Sequence, residues 1–256
     1  MALERIKLYG FNNLTKALSF NIYDFCYAQT LEEQRAYIQY IDEQYNADRL
    51  TVILKNVTNM IGAEVLNVSK QDYDPQGASV TCLIAEQPIA TYGADTLVAH
   101  LNKSHITVHT YPEYHPENHL ATFRVDIDVA TCGEITPLST LDYLIDSFDS
   151  DVITMDYRVR GFTRDVHGNK VYIDHPIDSI QQFISSDTRQ KYDARDDNLQ
   201  RVHLYHTRMR LKELRLEEYI FNQSMEQISH SKQQEMLQAL TIEMDEIFKG
   251  KDVKRS

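Results

Sequence analysis

Apolar residues near the start of the chain recur with helical spacing. Thr30 and Glu33 have the spacing of a capping box, which predicts a helix that begins there and runs to about Tyr45. Asp48 is placed to cap a second helix, and Gly62 is the residue expected to end it. The apolar residues of this second segment fall on one helical face: Leu50, Ile53, Leu54, Val57 and Ile61.

The middle of the chain changes to the pattern of strands. Three short runs rich in β-branched residues, 64–69, 78–85 and 104–111, predict strands. The segment 122–130 alternates between apolar and polar residues, which predicts a half-buried antiparallel strand. Its apolar side chains would point one way, and its polar side chains would form the other face rather than a catalytic pair of carboxylates: Arg124, Asp126 and Asp128.

Helical and extended segments are mixed in the second half of the chain. Thr136 followed by Pro137 predicts a helix start, and a strand is expected at 152–159. His167-Gly168-Asn169 predicts a hairpin turn before a strand at 171–174. Further helices are expected near 177–184 and at about 232–249. Strands mixed with helices, one strand being polar on one face, predict an α+β two-layer sandwich.

Composition narrows the class of protein. A chain of 256 residues with no apolar run of about 18 residues and no apolar leader is expected to be cytoplasmic. Its net charge of −12 argues against a nucleic-acid partner. Three cysteines without a leader argue against a disulfide framework. We expect Cys26 and Cys82 to be buried thiols, whereas Cys132 lies in a turn beside Gly133, where a thiol can reach a cleft.

Several segments together resemble one enzyme family. They are Lys103-Ser104-His105-Ile106-Thr107-Val108-His109-Thr110-Tyr111-Pro112-Glu113, Ala130-Thr131-Cys132-Gly133-Glu134, Gly10-Phe11-Asn12-Asn13-Leu14, Pro75-Gln76-Gly77-Ala78-Ser79 and Tyr157-Arg158-Val159-Arg160-Gly161-Phe162. The sequence resembles S-adenosylmethionine decarboxylase of the bacterial, pyruvoyl-dependent type, whose members cut themselves to make their catalytic ketone. The resemblance implies one domain over 1–256, with an antiparallel sheet, helices on one face and helical extensions at both ends. It also implies cleavage into a β chain, 1–103, and an α chain, 104–256.

The resemblance implies a role for each matching residue. Cleavage between Lys103 and Ser104 would convert Ser104 into the pyruvoyl group, which forms a Schiff base with the substrate. His109 would accept the proton that drives this processing, Ser79 would assist it, and Cys132 would donate the catalytic proton. The substrate-binding residues would be Glu113, at the ribose hydroxyls, and two aromatic residues, Tyr73 and Tyr111.

The spacing between Ser104 and His109 adds a geometric expectation. Five steps along an extended strand separate the two residues by roughly 16 Å, and an odd number of steps places them on opposite faces. His109 is therefore unable to act on the Ser104 of its own chain unless the strand breaks. We hypothesise that His109, Ser79, Glu113 and Tyr73 act on the Ser104 and Cys132 of a second copy. The resemblance agrees with a homo-oligomer of cleaved pairs, at least a dimer, and relatives suggest a tetramer of pairs.

Metal binding is a weaker interpretation of the dense histidines in 100–119. On a helix His105 and His109 would share one face, but on a strand they stand about 13 Å apart, too far for one ion. We therefore predict no metal ligand set, although bacterial relatives often need Mg²⁺ as an activator.

The predicted function is decarboxylation of S-adenosylmethionine to CO₂ and S-adenosylmethioninamine, the aminopropyl donor for spermidine synthesis. Two alternatives stay open. One is a pyruvoyl decarboxylase of another amino acid, such as arginine, and the other is an uncleaved, non-catalytic regulatory homologue.

Overall fold

The centre of the fold is one large antiparallel sheet. The computed structural model describes residues 6–10, 12–86, 104–115 and 118–251. Eight strands lie in the order β2-β3-β4-β5-β1-β6-β10-β9. Their bounds are β1 Thr15–Tyr27, β2 Ala63–Asp72, β3 Ala78–Glu86, β4 Ser104–His115, β5 Asn118–Cys132, β6 Val152–Arg160, β9 Tyr192–Asp196 and β10 Leu204–Leu211. A separate small hairpin pairs β7, Thr163–Arg164, with β8, Lys170–Val171.

The first two helices follow β1 directly. They are α1, Leu31–Gln44, and α2, Ala47–Met60. The predicted capping box is confirmed, because Glu33 N donates to Thr30 Oγ1 and the Glu33 carboxylate accepts from Thr30 N. The predicted cap of α2 was wrong: Asn46 caps it, since its side-chain oxygen accepts from the backbone of Asp48 and Arg49. Asp48 instead lies in the first turn, where its charge favours the helix N-terminus.

The main core lies between one face of the sheet and these helices. The alternation predicted for 122–130 is confirmed, because its apolar residues are fully buried against this layer. A short 3₁₀ helix, Pro137–Thr140, leads into α3, Leu141–Asp146, on the same core. Thr136 caps the 3₁₀ segment and Pro137 occupies its first turn, so the predicted start is correct.

The C-terminal helix α5, His230–Lys249, packs on the opposite face of the sheet at one end. Its buried Met236, Leu240 and Met244 join a second apolar cluster with Phe25 and Val152. The rest of this face is polar and has no helix over it among the described residues. The α+β architecture with a large antiparallel sheet is thus confirmed, with one helix added to the otherwise polar face. None of the described helices is long and apolar enough to cross a membrane.

Two further local expectations were wrong. Instead of a helix at 177–184 the chain forms a single 3₁₀ turn, Ile180–Phe183, and a new helix α4, Ser186–Lys191, begins after the capping Ser185. The strand expected at 171–174 is only the two-residue β8, although Asp165 and Asn169 close the predicted turn. The sequence patterns also missed β1, β9 and β10, and β1 is a central strand of the sheet.

Candidate active site

Ser104 and Cys132 meet at one end of the sheet. Ser104 is the first residue of β4 and Cys132 is the last residue of the neighbouring β5. Because the two strands run antiparallel, with His105 opposite Ala130, their ends come side by side. The Ser104 Oγ lies 3.3 Å from the Cys132 Sγ, and the two residues are only 2% and 6% exposed. We call this pair the cysteine half-site.

A turn that leaves β5 at Gly133 shapes the cysteine half-site. Gly133 has φ +72°, and its N–H donates to Leu14 O at 3.2 Å. The Thr131 hydroxyl donates to Ile135 O at 3.1 Å and so closes the same turn. The expectation that Cys132 lies beside a turn is correct, but the thiol is buried rather than open to solvent in the isolated chain.

A second group of predicted site residues surrounds His109 on the polar face. Ser79 of β3 is the register partner of His109 on β4. The Tyr73 hydroxyl lies 3.4 Å from His109 Nδ1, and the Tyr111 ring stacks near the imidazole with centroids 6.3 Å apart. Glu113 is exposed and, by alternation, on the same face of β4. We call these five residues the histidine half-site.

The turn between β2 and β3 brings Tyr73 and Ser79 to His109. Tyr73 N donates to Gly77 O, and Gly77 N donates to the Asp42 carboxylate of α1, both at 2.8 Å. Gly77 has φ +92°, and a Cβ added there would lie 2.6 Å from Thr110 O. Only glycine suits both the backbone conformation and this close approach to β4.

The two half-sites do not meet within one chain. Ser104 is buried on β4 together with Ile106 and Val108, whereas His109 lies on the face of the partly exposed Thr107. Five residue steps along the strand separate Ser104 from His109 by roughly 16 Å. The expected opposite-face geometry is therefore confirmed. Lys103 lies outside the described residues.

Beside His109 the polar face has unsatisfied groups. Asp126 on β5 is the register partner of His109, and its carboxylate forms an ion pair with Arg124 at 3.2 Å. The Asp126 Oδ1 and the Arg124 Nε are nevertheless buried without a hydrogen-bond partner among the described residues. Burial raises the pKa of Asp126, against the opposing effect of Arg124. The two side chains are otherwise partly exposed, Arg124 to 41% and Asp126 to 28%.

A buried ionic network beneath Cys132 was missed by sequence reasoning. Lys16 of β1 is 1% exposed, and its ammonium donates to Gly133 O at 2.9 Å and to Asp174 Oδ2 at 2.7 Å. The signal was present, because Lys16 stands between Leu14 and Leu18 in an alternating run whose every second residue is core. A lysine at a core position needs a charged partner, and the partner lies 158 residues away.

The other two cysteines are structural. Cys26 and Cys82 are free and buried, as expected. Burial raises the pKa of both thiols, which keeps them protonated and unreactive. Only Cys132 among the three lies against another predicted site residue.

Known proteins align with this sequence over nearly its whole length. A family model described as S-adenosylmethionine decarboxylase matches residues 38–161. The chain is 58% identical to the S-adenosylmethionine decarboxylase proenzyme of Clostridium botulinum (strain Eklund 17B), over 98% of this chain and 97% of that protein. It is 55% identical to the protein of the same name from Pseudomonas aeruginosa (strain LESB58), over 98% and 99%.

The chain belongs to the S-adenosylmethionine decarboxylase family. Both half-sites lie inside the range that matches the decarboxylase family model, which begins at residue 38 and ends at residue 161. Lys16 and Asp174 lie outside that range but within the near full-length match to the two decarboxylase proenzymes.

Proposed function

We propose that this chain is a self-processing decarboxylase of S-adenosylmethionine, cleaved between Lys103 and Ser104. The observation that supports this best is the 3.3 Å contact between the Ser104 Oγ and the Cys132 Sγ at the start of β4. It joins the residue that would become the prosthetic group to a group able to donate a proton. Family membership supports the substrate, and the product would serve spermidine synthesis as aminopropyl donor.

The surroundings of Ser104 suit a pyruvoyl group. The residue is nearly inaccessible to water, begins a strand, and follows directly on the proposed cleavage point. A pyruvoyl group would supply a ketone that withdraws electrons from the substrate carbon that loses CO₂. Because water is excluded at this position, solvent protons reach that carbon less readily.

Cys132 is proposed to deliver the proton that replaces CO₂. Its Sγ already lies within contact distance of the side chain at position 104, as a general acid must. The thiol is held by β5 and the Gly133 turn, and it need not cross the sheet to reach the reacting atoms. Its burial keeps competing water away from the reacting carbon.

His109 and Ser79 are proposed to drive processing in a partner chain. Within one chain His109 lies on the wrong face of β4 to reach Ser104. The unsatisfied Asp126 Oδ1 and Arg124 Nε beside His109 support a second copy packed on this face. In that assembly the histidine half-site of one chain would complete the cysteine half-site of the other, so that the active unit is at least a dimer and, in a larger form, a tetramer of cleaved pairs.

Nucleoside binding is assigned to the remaining members of the histidine half-site. The Glu113 carboxylate is exposed and free to accept hydrogen bonds from ribose hydroxyls. Arg124 lies over the Tyr111 ring at 4.3 Å, so one face of that ring is occupied within the chain. Tyr73 carries no such cover among the described contacts, and it suits adenine stacking better than Tyr111 does.

No step is assigned to a metal ion. Among the described residues no three His, Cys, Asp or Glu side chains are grouped so that they could hold one. We propose activation by Mg²⁺ on the resemblance alone, and a cytoplasmic location on the sequence composition.

Intact-mass spectrometry combined with a decarboxylation assay tests the proposal. Cleavage after Lys103 predicts fragments of roughly 12 and 18 kDa, with the larger one starting at a pyruvoyl group instead of serine. The cleaved protein is expected to release CO₂ from S-adenosylmethionine, and a Ser104→Ala control is expected to stay intact and inactive. Release from arginine instead would favour the decarboxylase of another amino acid. A wild-type chain that stays at 29.8 kDa would favour the uncleaved regulatory homologue.

A further inference from the structure

Lys16 is an unusually well-buried cation. Its side chain is 1% exposed. It points to the same core face as Leu14, just before β1, and Leu18 within it. An ammonium moved from water into such surroundings loses several kcal/mol of hydration free energy unless it gains charged and polar partners. Two partners are Asp174 Oδ2 at 2.7 Å and Gly133 O at 2.9 Å.

Asp174 is itself held in its ionised form. Asn12 Nδ2 donates to the same Oδ2 at 2.7 Å, and His175 Nδ1 lies 2.7 Å from Oδ1. Although burial alone would raise the pKa of Asp174, the hydrogen bonds from His175 and Lys16 hold it below its usual value. The Lys16–Asp174 pair is therefore a fixed pair of charges in the core.

The network ends on the peptide next to Cys132. Leu14, just before β1, and Lys16 within it hold both backbone polar atoms of Gly133, because Leu14 O accepts from Gly133 N and Lys16 Nζ donates to Gly133 O. The first bond, at 3.2 Å, is an ordinary backbone bond, whereas the second is charge-assisted and shorter. Cys132, one residue upstream, has its thiol 3.3 Å from the Ser104 hydroxyl.

We propose that Lys16, charged and oriented by Asp174, is a positioning residue that fixes the Cys132 thiol against residue 104. The inference rests on the proposed role of Cys132 as proton donor. Lys16 acts by holding the Gly133 peptide through its carbonyl oxygen. A shift of about 1 Å in a catalytic group can reduce the rate by about a hundredfold. A Gly133 turn that allowed Cys132 to move would therefore lower kcat.

The test compares Lys16→Met with Lys70→Met, which removes a surface lysine paired with Asp48. The first readout is alkylation of the three cysteines, followed by peptide mapping in the full-length Ser104→Ala chain, so that it needs no prosthetic group. Lys16→Met is expected to speed alkylation of Cys132 several-fold while Cys26 and Cys82 stay slow. Lys70→Met is expected to change none of the three.

The second readout is steady-state turnover of the processed protein. Loss of positioning is expected to lower kcat about tenfold or more with KM within about a factor of two, since substrate-binding groups are untouched. A Cys132 alkylation rate equal to that of the parent would overturn the inference. That result does not depend on cleavage or on substrate, so it stays separate from a failure of the proposed function.

A double variant keeps the proposal testable if Lys16→Met does not fold. Lys16→Met leaves Asp174 buried without its cation, whereas Lys16→Met combined with Asp174→Asn removes both charges and keeps an amide that can hydrogen-bond to Asn12 and His175. Removal of a whole buried ion pair is often close to neutral for stability when the groups around it keep their hydrogen-bond partners. We expect the double variant to fold, to be processed, and still to show fast Cys132 alkylation and lowered kcat. A double variant with the alkylation rate and kcat of the parent would refute a positioning role.

Discussion

Ser104 and His109 lie on the same strand but face opposite sides of the sheet. Ser104 continues the buried row of β4 that contains Ile106 and Val108. His109 belongs to the polar row, where Ser79 and Asp126 are its register partners on the two neighbouring strands. This geometry supports the proposal that the two residues act together across two chains.

Mixed chains give the sharpest test of this relationship. A Ser104→Ala chain has no serine to convert but keeps His109, and a His109→Ala chain keeps Ser104 but has no base. Co-expression is expected to cleave only the His109→Ala chain, because the other chain supplies its imidazole. The measurement is intact mass of the co-purified, differently tagged chains.

Each variant expressed alone is the control for the mixture and is expected to stay uncleaved. If the mixture also stays uncleaved while both chains co-purify, His109 acts within its own chain or not at all, and the two-chain site is wrong.

Replacement of the Cys132 thiol is expected to separate processing from turnover. Cys132→Ser keeps a small polar group near residue 104 but is a much weaker acid. We expect cleavage to continue and kcat to fall by about 10²–10⁴-fold, the usual contribution of a positioned proton donor. Cys82→Ala, which removes a thiol buried in β3, is expected to keep most of its turnover and provides the matched control. Normal turnover in cleaved Cys132→Ser would exclude the thiol as proton donor.

Gly77 is expected to tolerate no side chain. Gly77→Ala would place a Cβ 2.6 Å from Thr110 O at φ +92°, so we expect it to lower the free energy of unfolding by at least about 3 kcal/mol. Gly168 has a similar φ of +84° with no atom within 4 Å, and Gly168→Ala should cost only about 1–2 kcal/mol. Urea unfolding in a Ser104→Ala background measures both.

The same pair of variants reports on the histidine half-site. The Gly77 turn carries Tyr73 and leads into Ser79, so slower processing is expected for Gly77→Ala than for Gly168→Ala. Equal stability and equal cleavage in the two variants would mean that the turn does not organise this half-site.

Sequence reasoning succeeded where the signal is local. The alternation in 122–130 and the capping box at Thr30 depend on residues close together in the chain, and both appear in the structure. The opposite orientation of Ser104 and His109 follows from strand periodicity alone. The residue roles came from resemblance to a family, because no local rule gives chemistry to a Lys-Ser pair.

Sequence reasoning failed where the cause is a distant contact. The alternation of Leu18, Phe20 and Ile22 is a local signal for β1, but nothing local indicates that it pairs with β5 and β6, about 90 to 145 residues further along. The charge on Lys16 interrupts the apolar row of β1, and it becomes intelligible only once Asp174 is beside it. At 177–184 isoleucines with helical spacing pack into the core from a loop, because Ser179 and Ser185 each cap a new short turn.

The stability of the fold is expected to depend on a buried pair of acids. Asp24 and Asp151 both line a cavity of about 810 Å³, where each influences the pKa of the other. Burial raises the pKa of Asp24 well above its usual value and that of Asp151 to about 6. Tyr37 donates to Asp24 at 2.8 Å and Tyr219 donates to Asp151 at 2.7 Å, and these hydrogen bonds only partly offset the effect of burial on the two pKa values.

The sign of the pH dependence follows from the raised values. A carboxyl whose pKa is higher in the folded state than in the unfolded state binds its proton more tightly when folded. Its stabilising contribution is complete at low pH and is lost as the pH rises through the folded pKa. For Asp151 that loss is centred at about pH 6.

Asp24→Asn is expected to remove the share of this loss that Asp24 contributes, while Asp151 still titrates at about pH 6. The amide can accept from Tyr37 and donate to Asp151, as the protonated acid does, but it has no proton to release. We expect the variant to gain stability relative to the parent as the pH rises from about 5 to about 8, by about 1–2 kcal/mol at the upper end. Urea unfolding across that range measures the difference, and Asp187→Asn, an exposed substitution of the same charge, is the control. A difference that stays constant with pH, or that grows toward low pH, would show that the pair does not hold a proton in the folded chain.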